Sequence, residues 1–135
     1  MRTPLFTAQE FPTLLFDPEM APAGQLAARL QEHHIHVAVT LSAEDALQSA
    51  KGGHFRVLVV AADAGNRDSL RFLHTLRRAA PRSWLVVMNP KIDRITEALL
   101  RRHGADAVVR APVDIEELAR RISLLQVRLR PCSDS

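Results

Sequence analysis

Cysteine occurs once, as Cys132, and tyrosine not at all. A lone thiol cannot close a disulfide within the chain, so the fold must rest on its apolar core, and a reducing, cytoplasmic setting fits best. No apolar run approaches the roughly 20 residues of a membrane-spanning helix, which argues against a membrane protein. The opening Met1-Arg2-Thr3-Pro4-Leu5-Phe6 lacks the continuous apolar segment and small-residue cleavage site of a secretory signal. Only five glycines are present, and none builds a phosphate-cradling loop after the first expected strand, where Asp17-Pro18-Glu19 would repel an anion. Aromatic residues make up 4% of the chain, too few to interleave with Arg77-Arg78, Arg101-Arg102 and Arg120-Arg121 as a nucleic-acid platform requires. Those pairs read as solvated or ion-paired faces of separate helices, so the net charge of +3 does not mark a nucleic-acid surface.

What is present suits one soluble α/β domain. A chain of 135 residues supports a single core burying roughly two-thirds of its unfolded surface. At the centre stands Phe55-Arg56-Val57-Leu58-Val59-Val60-Ala61-Ala62-Asp63-Ala64-Gly65. Its short β-branched run reads as a strand buried on both faces in the middle of a parallel sheet. Thr13 to Phe16, Ile35 to Val39, Trp84 to Met88 and Ala107 to Val109 read as four further strands. Between them lie helical patterns. The first, from Ala23 to His33, is confined by Pro22 and Gly24 and turns Ala23, Leu26, Ala27 and Leu30 inward. The second follows a Ser42 cap, with Ala43, Ala46, Leu47 and Ala50 inward, and stops at Gly52-Gly53. The third, capped by Asn66 or Asp68, has Leu70, Leu73 and Leu76 inward and Arg71, Arg77 and Arg78 outward. The fourth carries Ile92, Ile95, Leu99 and Leu100 as its stripe and ends at His103-Gly104. The last is capped by Asp114. Five strands alternating with five helices give a (βα)5 parallel sheet with helices on both faces. Residues 1–12 read as an N-terminal arm, 13–129 as the domain, and 130–135 as a tail or the start of a linker.

Two features invite function. His33-His34-Ile35-His36 would put His34 and His36 on one strand face, but without a Cys or acid at ligand spacing it reads as a solvent-exposed start to the strand. In the last helix, Ile115, Leu118, Ile122, Leu125 and Leu129 recur at intervals of three and four. A helix half committed to the sheet cannot bury Leu124 and Val127 as well, so a partner contact is expected there.

The order of elements resembles the receiver domain of two-component response regulators, the flavodoxin-like fold of the chemotaxis protein CheY, with strand order 2-1-3-4-5. The resemblance runs from about Thr13 to about Leu129. Its most specific part is Gly104-Ala105-Asp106-Ala107-Val108-Val109-Arg110-Ala111-Pro112 followed by Asp114-Ile115-Glu116-Glu117-Leu118. This is similar to the family's Gly-Ala-Asp-x-(Tyr/Phe)-(hydrophobic)-x-Lys-Pro and the Glu-Leu of its last helix. Ala43-Glu44-Asp45-Ala46-Leu47 and Phe55-Arg56-Val57-Leu58-Val59-Val60 resemble the second-helix start and third strand.

In that family an aspartate after strand three accepts a phosphoryl group. Acids after strand one hold Mg²⁺, and a hydroxyl and a lysine bind the phosphoryl oxygens. Laid on this chain, the resemblance puts Ala61 at the acceptor position, Ala111 at the lysine position and Asn89 at the hydroxyl position. Of the acid pair Asp17 remains, with Pro18 second and Glu19 beyond, so Asp17 and Glu19 are only weak metal candidates and helix capping explains both. Val108 takes the aromatic switch position. Mg²⁺ or any other cofactor, and enzymatic activity, are not expected. A longer third strand would return Asp63 to the face of Ala61, making it an alternative acceptor, while Arg110, pointing to the opposite face from Ala111, does not replace the lysine. The resemblance also implies a homodimer and output face on helix four, strand five and helix five, here Ile92, Ile95, Val108, Leu118, Ile122, Leu124, Leu125, Val127 and Leu129. The expectation is a phosphorylation-independent, receiver-like signalling module of a bacterial two-component or transcription-control system. It would contact itself and another signalling protein, without nucleic acid or membrane. The alternatives are an atypical receiver phosphorylated on Asp63, or a small nucleotide- or nucleic-acid-binding flavodoxin-like domain.

Overall fold

In the computed structural model, which describes residues 13–18, 20–52, 55–111 and 113–129 without the side chains of 20–23 and 125–129, strands and helices alternate throughout. The order is β1 (Thr13–Phe16), α1 (Met20–Glu32), β2 (Val37–Thr40), α2 (Ala43–Lys51), β3 (Val57–Ala61), α3 (Arg67–Ala79), β4 (Trp84–Asn89), α4 (Arg94–Arg102), β5 (Ala107–Arg110) and α5 (Ile115–Leu129). All pairings are parallel, in the order β2-β1-β3-β4-β5. The expected arm, tail and Glu19 lie outside the described residues.

The period-two alternation of the strands sorts their side chains between two cores. Leu15, Val57, Val59, Val86 and Ala107 face α1 and α5, whose Leu26, Leu30, Leu118 and Ile122 complete one cluster. Leu14, Phe16, Leu58, Val60, Leu85 and Val87 face α2, α3 and α4 through Ala46, Ala50, Leu73, Leu76 and Leu100. Both faces of the middle strands are therefore covered, and Val57 to Val60 are fully buried. That is why their run is continuously apolar.

Capping chemistry fixes the helix ends. Ser42 accepts the Asp45 N–H at 3.1 Å, Asn66 accepts those of Asp68 and Ser69, and Asp93 accepts that of Thr96 at 2.8 Å. Asp114 accepts from Glu116 and Glu117.

Five sequence expectations need correction. Helix α1 begins at Met20, with Pro22 third in the helix, because first-turn N–H groups have no intrahelical acceptor and proline gives up nothing there. At its other end Ile35 donates to Leu30 and His34 to Gln31, with His34 at a φ of +65°. This is a Schellman cap whose buried Leu30 and Ile35 form its apolar contact. Strand β2 accordingly starts at Val37, and His34 does not share a strand face with His36. Ile92 precedes the Asp93 cap, Ile95 is 80% exposed, and α4 buries Leu100 instead. Ala43, expected inward on α2, is exposed.

Arg77, expected outward, is the largest departure. Its guanidinium donates to the carbonyls of Gly104 (3.0 Å), Ala80 (3.1 Å) and Ser83, and to the Asp106 carboxylate at 2.9 Å. The same Asp106 oxygen accepts the Leu85 N–H at 2.9 Å. One side chain thus ties the end of α3 to the starts of β4 and β5.

Candidate functional site

The parallel strands end together. Phe16 is level with Val60, Ala61 with Met88, and Met88 with Val109. One residue past Phe16, Asp17 therefore comes level with Ala61, and alternation sends Asp17, Ala61, Met88 and Ala111 over the α1/α5 core. Asp17 and Ala111 line one pocket of about 190 Å³ with Gln25, Leu26, Met88, Val113 and Ile115. Ala61, Val109, Ala111, Val113 and Ile115 also pack against the core beneath. The pocket is mostly apolar, with Asp17 half-buried and Gln25 exposed as its polar groups. Among the described residues, no three His, Cys, Asp or Glu side chains converge as a metal site would need.

Asp63 is placed otherwise. Strand β3 ends at Ala61, so the extension that would carry Asp63 back to the same face does not form. The carboxylate is exposed and accepts the Gly65 N–H at 2.9 Å, closing the turn before α3. Asn89 is 2% exposed. Its Oδ1 accepts the Ala64 N–H at 3.1 Å, and its Nδ2 donates to the Lys91 carbonyl at 2.5 Å. It thus fastens the β3–α3 loop to the β4–α4 loop with both ends of its amide. Arg110 is exposed on the face opposite Ala111 and lines a different hollow.

That hollow, about 440 Å³, runs between the loop before α4, β5 and α5 and is walled by Ile92, Val108, Arg110 and Asp114. Glu117 on its edge pairs with Arg120, and with Arg121 at 3.1 Å. Of the expected contact residues, Ile95 and Leu124 are 80% and 61% exposed, and Ile92 and Val108 half-buried. Leu118 and Ile122 are 1% and 0% exposed: they fill the core under β3 and β4 and cannot form a surface. The side chains of Leu125, Val127 and Leu129 lie outside the described residues.

Sequence reasoning missed three things here. Met88 fills the floor beside Ala61, and its place as the last apolar residue of a buried strand was the available signal. Gln25 at the rim carried none. The Asn89 bridge could have been suspected from an amide just before Pro90 in a loop.

The architecture is that of a CheY-like flavodoxin-fold domain: five parallel strands in the order 2-1-3-4-5 with five helices. Among solved structures, a Burkholderia pseudomallei protein described as pilus assembly-related aligns at a TM-score of 0.79 and 17% identity, covering 96% of this chain and 98% of that one. The receiver domain of a Francisella response regulator aligns at 0.76 and 20% identity, over 88% and 98%. An atypical orphan response regulator, described as having a phosphorylation-independent regulatory mechanism, aligns at 0.71 and 21%, over 89% and 96%. No sequence-family model matches the chain, and no curated protein does. At these identities the likeness establishes the fold.

Proposed function

We propose that this chain is a receiver-like signalling module of a bacterial regulatory system that works in the cytoplasm by protein contact, without phosphoryl transfer or Mg²⁺ and without enzymatic activity of its own. The observation that carries the proposal is Ala61. It ends β3 level with Asp17 and Met88, where a receiver needs a carboxylate, and a methyl group accepts no phosphoryl group. Ala111 supplies no cation for an anionic ligand. An orphan regulator of the same fold, described as phosphorylation-independent, supports the reading.

Homodimerisation through α4, β5 and α5 belongs to the same proposal, supported by the hollow that the loop before α4 encloses with β5 and α5 and by exposed Leu124. Light scattering is expected to give twice the chain mass, falling to one chain in Leu124→Glu. Incubation with Mg²⁺ and acetyl phosphate, beside a phosphorylatable receiver as control, should leave the intact mass unchanged. A gain of one phosphoryl group that disappears in Asp63→Ala would make the chain an atypical receiver instead. A setting in pilus assembly is a second reading, favoured by the near-complete mutual coverage with the Burkholderia pseudomallei protein. Deleting the gene in its own bacterium and counting surface pili tests it; unchanged piliation removes it.

A further inference from the structure

The positive charge of the chain is concentrated. Helices α3 and α4 carry seven arginines against two acids, Asp68 and Glu97, whereas the whole chain is only +3. The remainder is therefore net acidic. On α3, Arg67, Arg71, His74 and Arg78 recur at intervals of four, three and four, which places them on one helical stripe. The fold sets the end of α4 beside this stripe: Arg67, Leu70, Arg71, His74 and His103 line a single hollow of about 300 Å³. A second hollow of about 520 Å³ follows α4 itself, between Arg94 and Arg102 and over Ile95, Ala98 and Leu99. They share no lining residue but adjoin along the chain at the C-terminal end of α4, where His103 of the first follows Arg102 of the second and its ring lies 2.9 Å from the Leu99 carbonyl.

Nothing within the described residues neutralises this face. Arg67, Arg71, Arg94 and Arg102 form no ion pair there, while Glu97 is committed to Arg101 at 3.0 Å and Asp93 to capping α4. Clustered, unpaired guanidinium groups repel one another, and an anionic partner relieves that repulsion. The face is also apolar at its centre, with Ile95 four-fifths exposed. A nucleic-acid backbone would gain little from that side chain, and among the described residues lining the face there is no Phe, Tyr or Trp ring on which bases could stack, only the imidazoles of His74 and His103. An acidic helix with an apolar stripe matches both properties at once.

We propose that the α3–α4 face docks an acidic amphipathic helix of a partner protein, with leucine-like side chains over Ile95 and Leu99 and carboxylates against Arg71, Arg94 and Arg102. This rests on the reading of the chain as a contact-driven signalling module and names the chemistry of its partner. It does not depend on the homodimer, whose test uses Leu124.

The probe is a labelled synthetic helix of glutamate and leucine, with leucines at i, i+3, i+4 and i+7, titrated with the full chain and followed by fluorescence anisotropy. Saturable binding that weakens with salt is expected. The double variant Arg71→Glu/Arg102→Glu should weaken it about tenfold or more, since it sets like charges face to face, and Ile95→Ser should weaken it independently. Circular dichroism checks that both variants fold. The proposal is overturned by no saturable binding at low salt, by unchanged affinity in the folded variants, or by equal binding of a peptide with glutamine for leucine. Tighter binding of duplex DNA would overturn it in favour of nucleic acid, and self-association abolished by the charge reversals would replace the partner with a second copy. The acetyl phosphate and Leu124 experiments use none of these arginines, so a failure here is distinguishable from a failure of the reading on which it rests.

Discussion

Gly104→Ala should be among the most damaging single-methyl additions in the chain, and the size of its effect can be divided between two causes. Gly104 sits at a φ of +116°, which a residue with a Cβ adopts at a cost of about 1–3 kcal/mol. The new Cβ would also lie 2.8 Å from the Cβ of Arg77 and 2.9 Å from its Cγ and Cδ. Those atoms are the root of a side chain held by Gly104, Ala80, Ser83 and Asp106, so they cannot swing aside without breaking hydrogen bonds. Crowding of this kind adds about 1–3 kcal/mol, for a total near 4 kcal/mol. For a domain of this size that lowers Tm by about 10 °C or more. Urea unfolding followed by circular dichroism measures it. The informative comparison is Gly104→Ala in an Arg77→Ala background, where the contacts with Cγ and Cδ vanish and the hydrogen bonds that hold the Arg77 Cβ in place are gone, so the loss should fall from near 4 toward the backbone part of about 2 kcal/mol. An equal loss in both backgrounds would show that Arg77 does not close on Gly104, and the proposed clamp would be wrong.

Other consequences concern stability and pH. Asn89→Ala leaves the half-buried Ala64 N–H unpaired and frees the Lys91 carbonyl, so chemical denaturation should show a loss of about 1–3 kcal/mol. Ile122→Ala should cost about 2–5 kcal/mol in the same assay, without changing the mass seen by light scattering, because Ile122 is fully buried. The Thr13 hydroxyl is buried with no hydrogen-bond partner among the described residues. Thr13→Val keeps the shape, removes an unsatisfied group and should raise the unfolding free energy by about 1 kcal/mol in the same assay. The N–H of Thr96, bonded to the Asp93 carboxylate, holds that carboxyl below the usual aspartate range. A carboxyl depressed in the folded state contributes stability that is complete above its unfolded pKa and is lost as pH falls through the lower folded value. Asp93→Asn, which still caps the helix, should show a smaller acid-side decline than the parent in urea midpoints measured through that window.

The sheet was legible because both faces of the middle strands are covered, which writes Val57 to Val60 and Leu85 to Met88 as unbroken apolar runs. The helices were legible from their caps and periods, apart from ends set by chemistry that composition hides. His34 could not be seen as a left-handed cap, since that conformation usually calls for glycine or asparagine. Arg77 could not be seen turning inward either. Its acceptors come from two separate stretches of chain, 80–83 and 104–106, that only the fold assembles. The same limit applied to charge. Along the sequence the arginines look scattered, and only the packing of α3 beside α4 gathers them onto one face. Leu118 and Ile122 erred in the other direction: their spacing showed an apolar stripe correctly, but periodicity alone does not say whether a stripe faces the sheet or a partner.

The position of the most specific sequence motif has a bearing on function. Gly104, Ala105 and Asp106 precede β5, whereas Ala61 ends β3 and Asp17 and Ala111 follow the carboxyl ends of β1 and β5. In a parallel sheet these are opposite edges. Each motif residue has a structural duty at its own edge. Gly104 supplies a positive φ and room for Arg77; Ala105 is small and buried, donating to Leu100; and Asp106 receives Arg77 and the Leu85 N–H. None of these duties depends on a carboxylate at position 61 or a cation at position 111. The clamp that makes the fold recognisable can therefore persist while the far edge becomes apolar. A chain built this way keeps the five-stranded fold through contacts at one end of its strands whatever stands at the other, and the proposed signalling by contact requires only that.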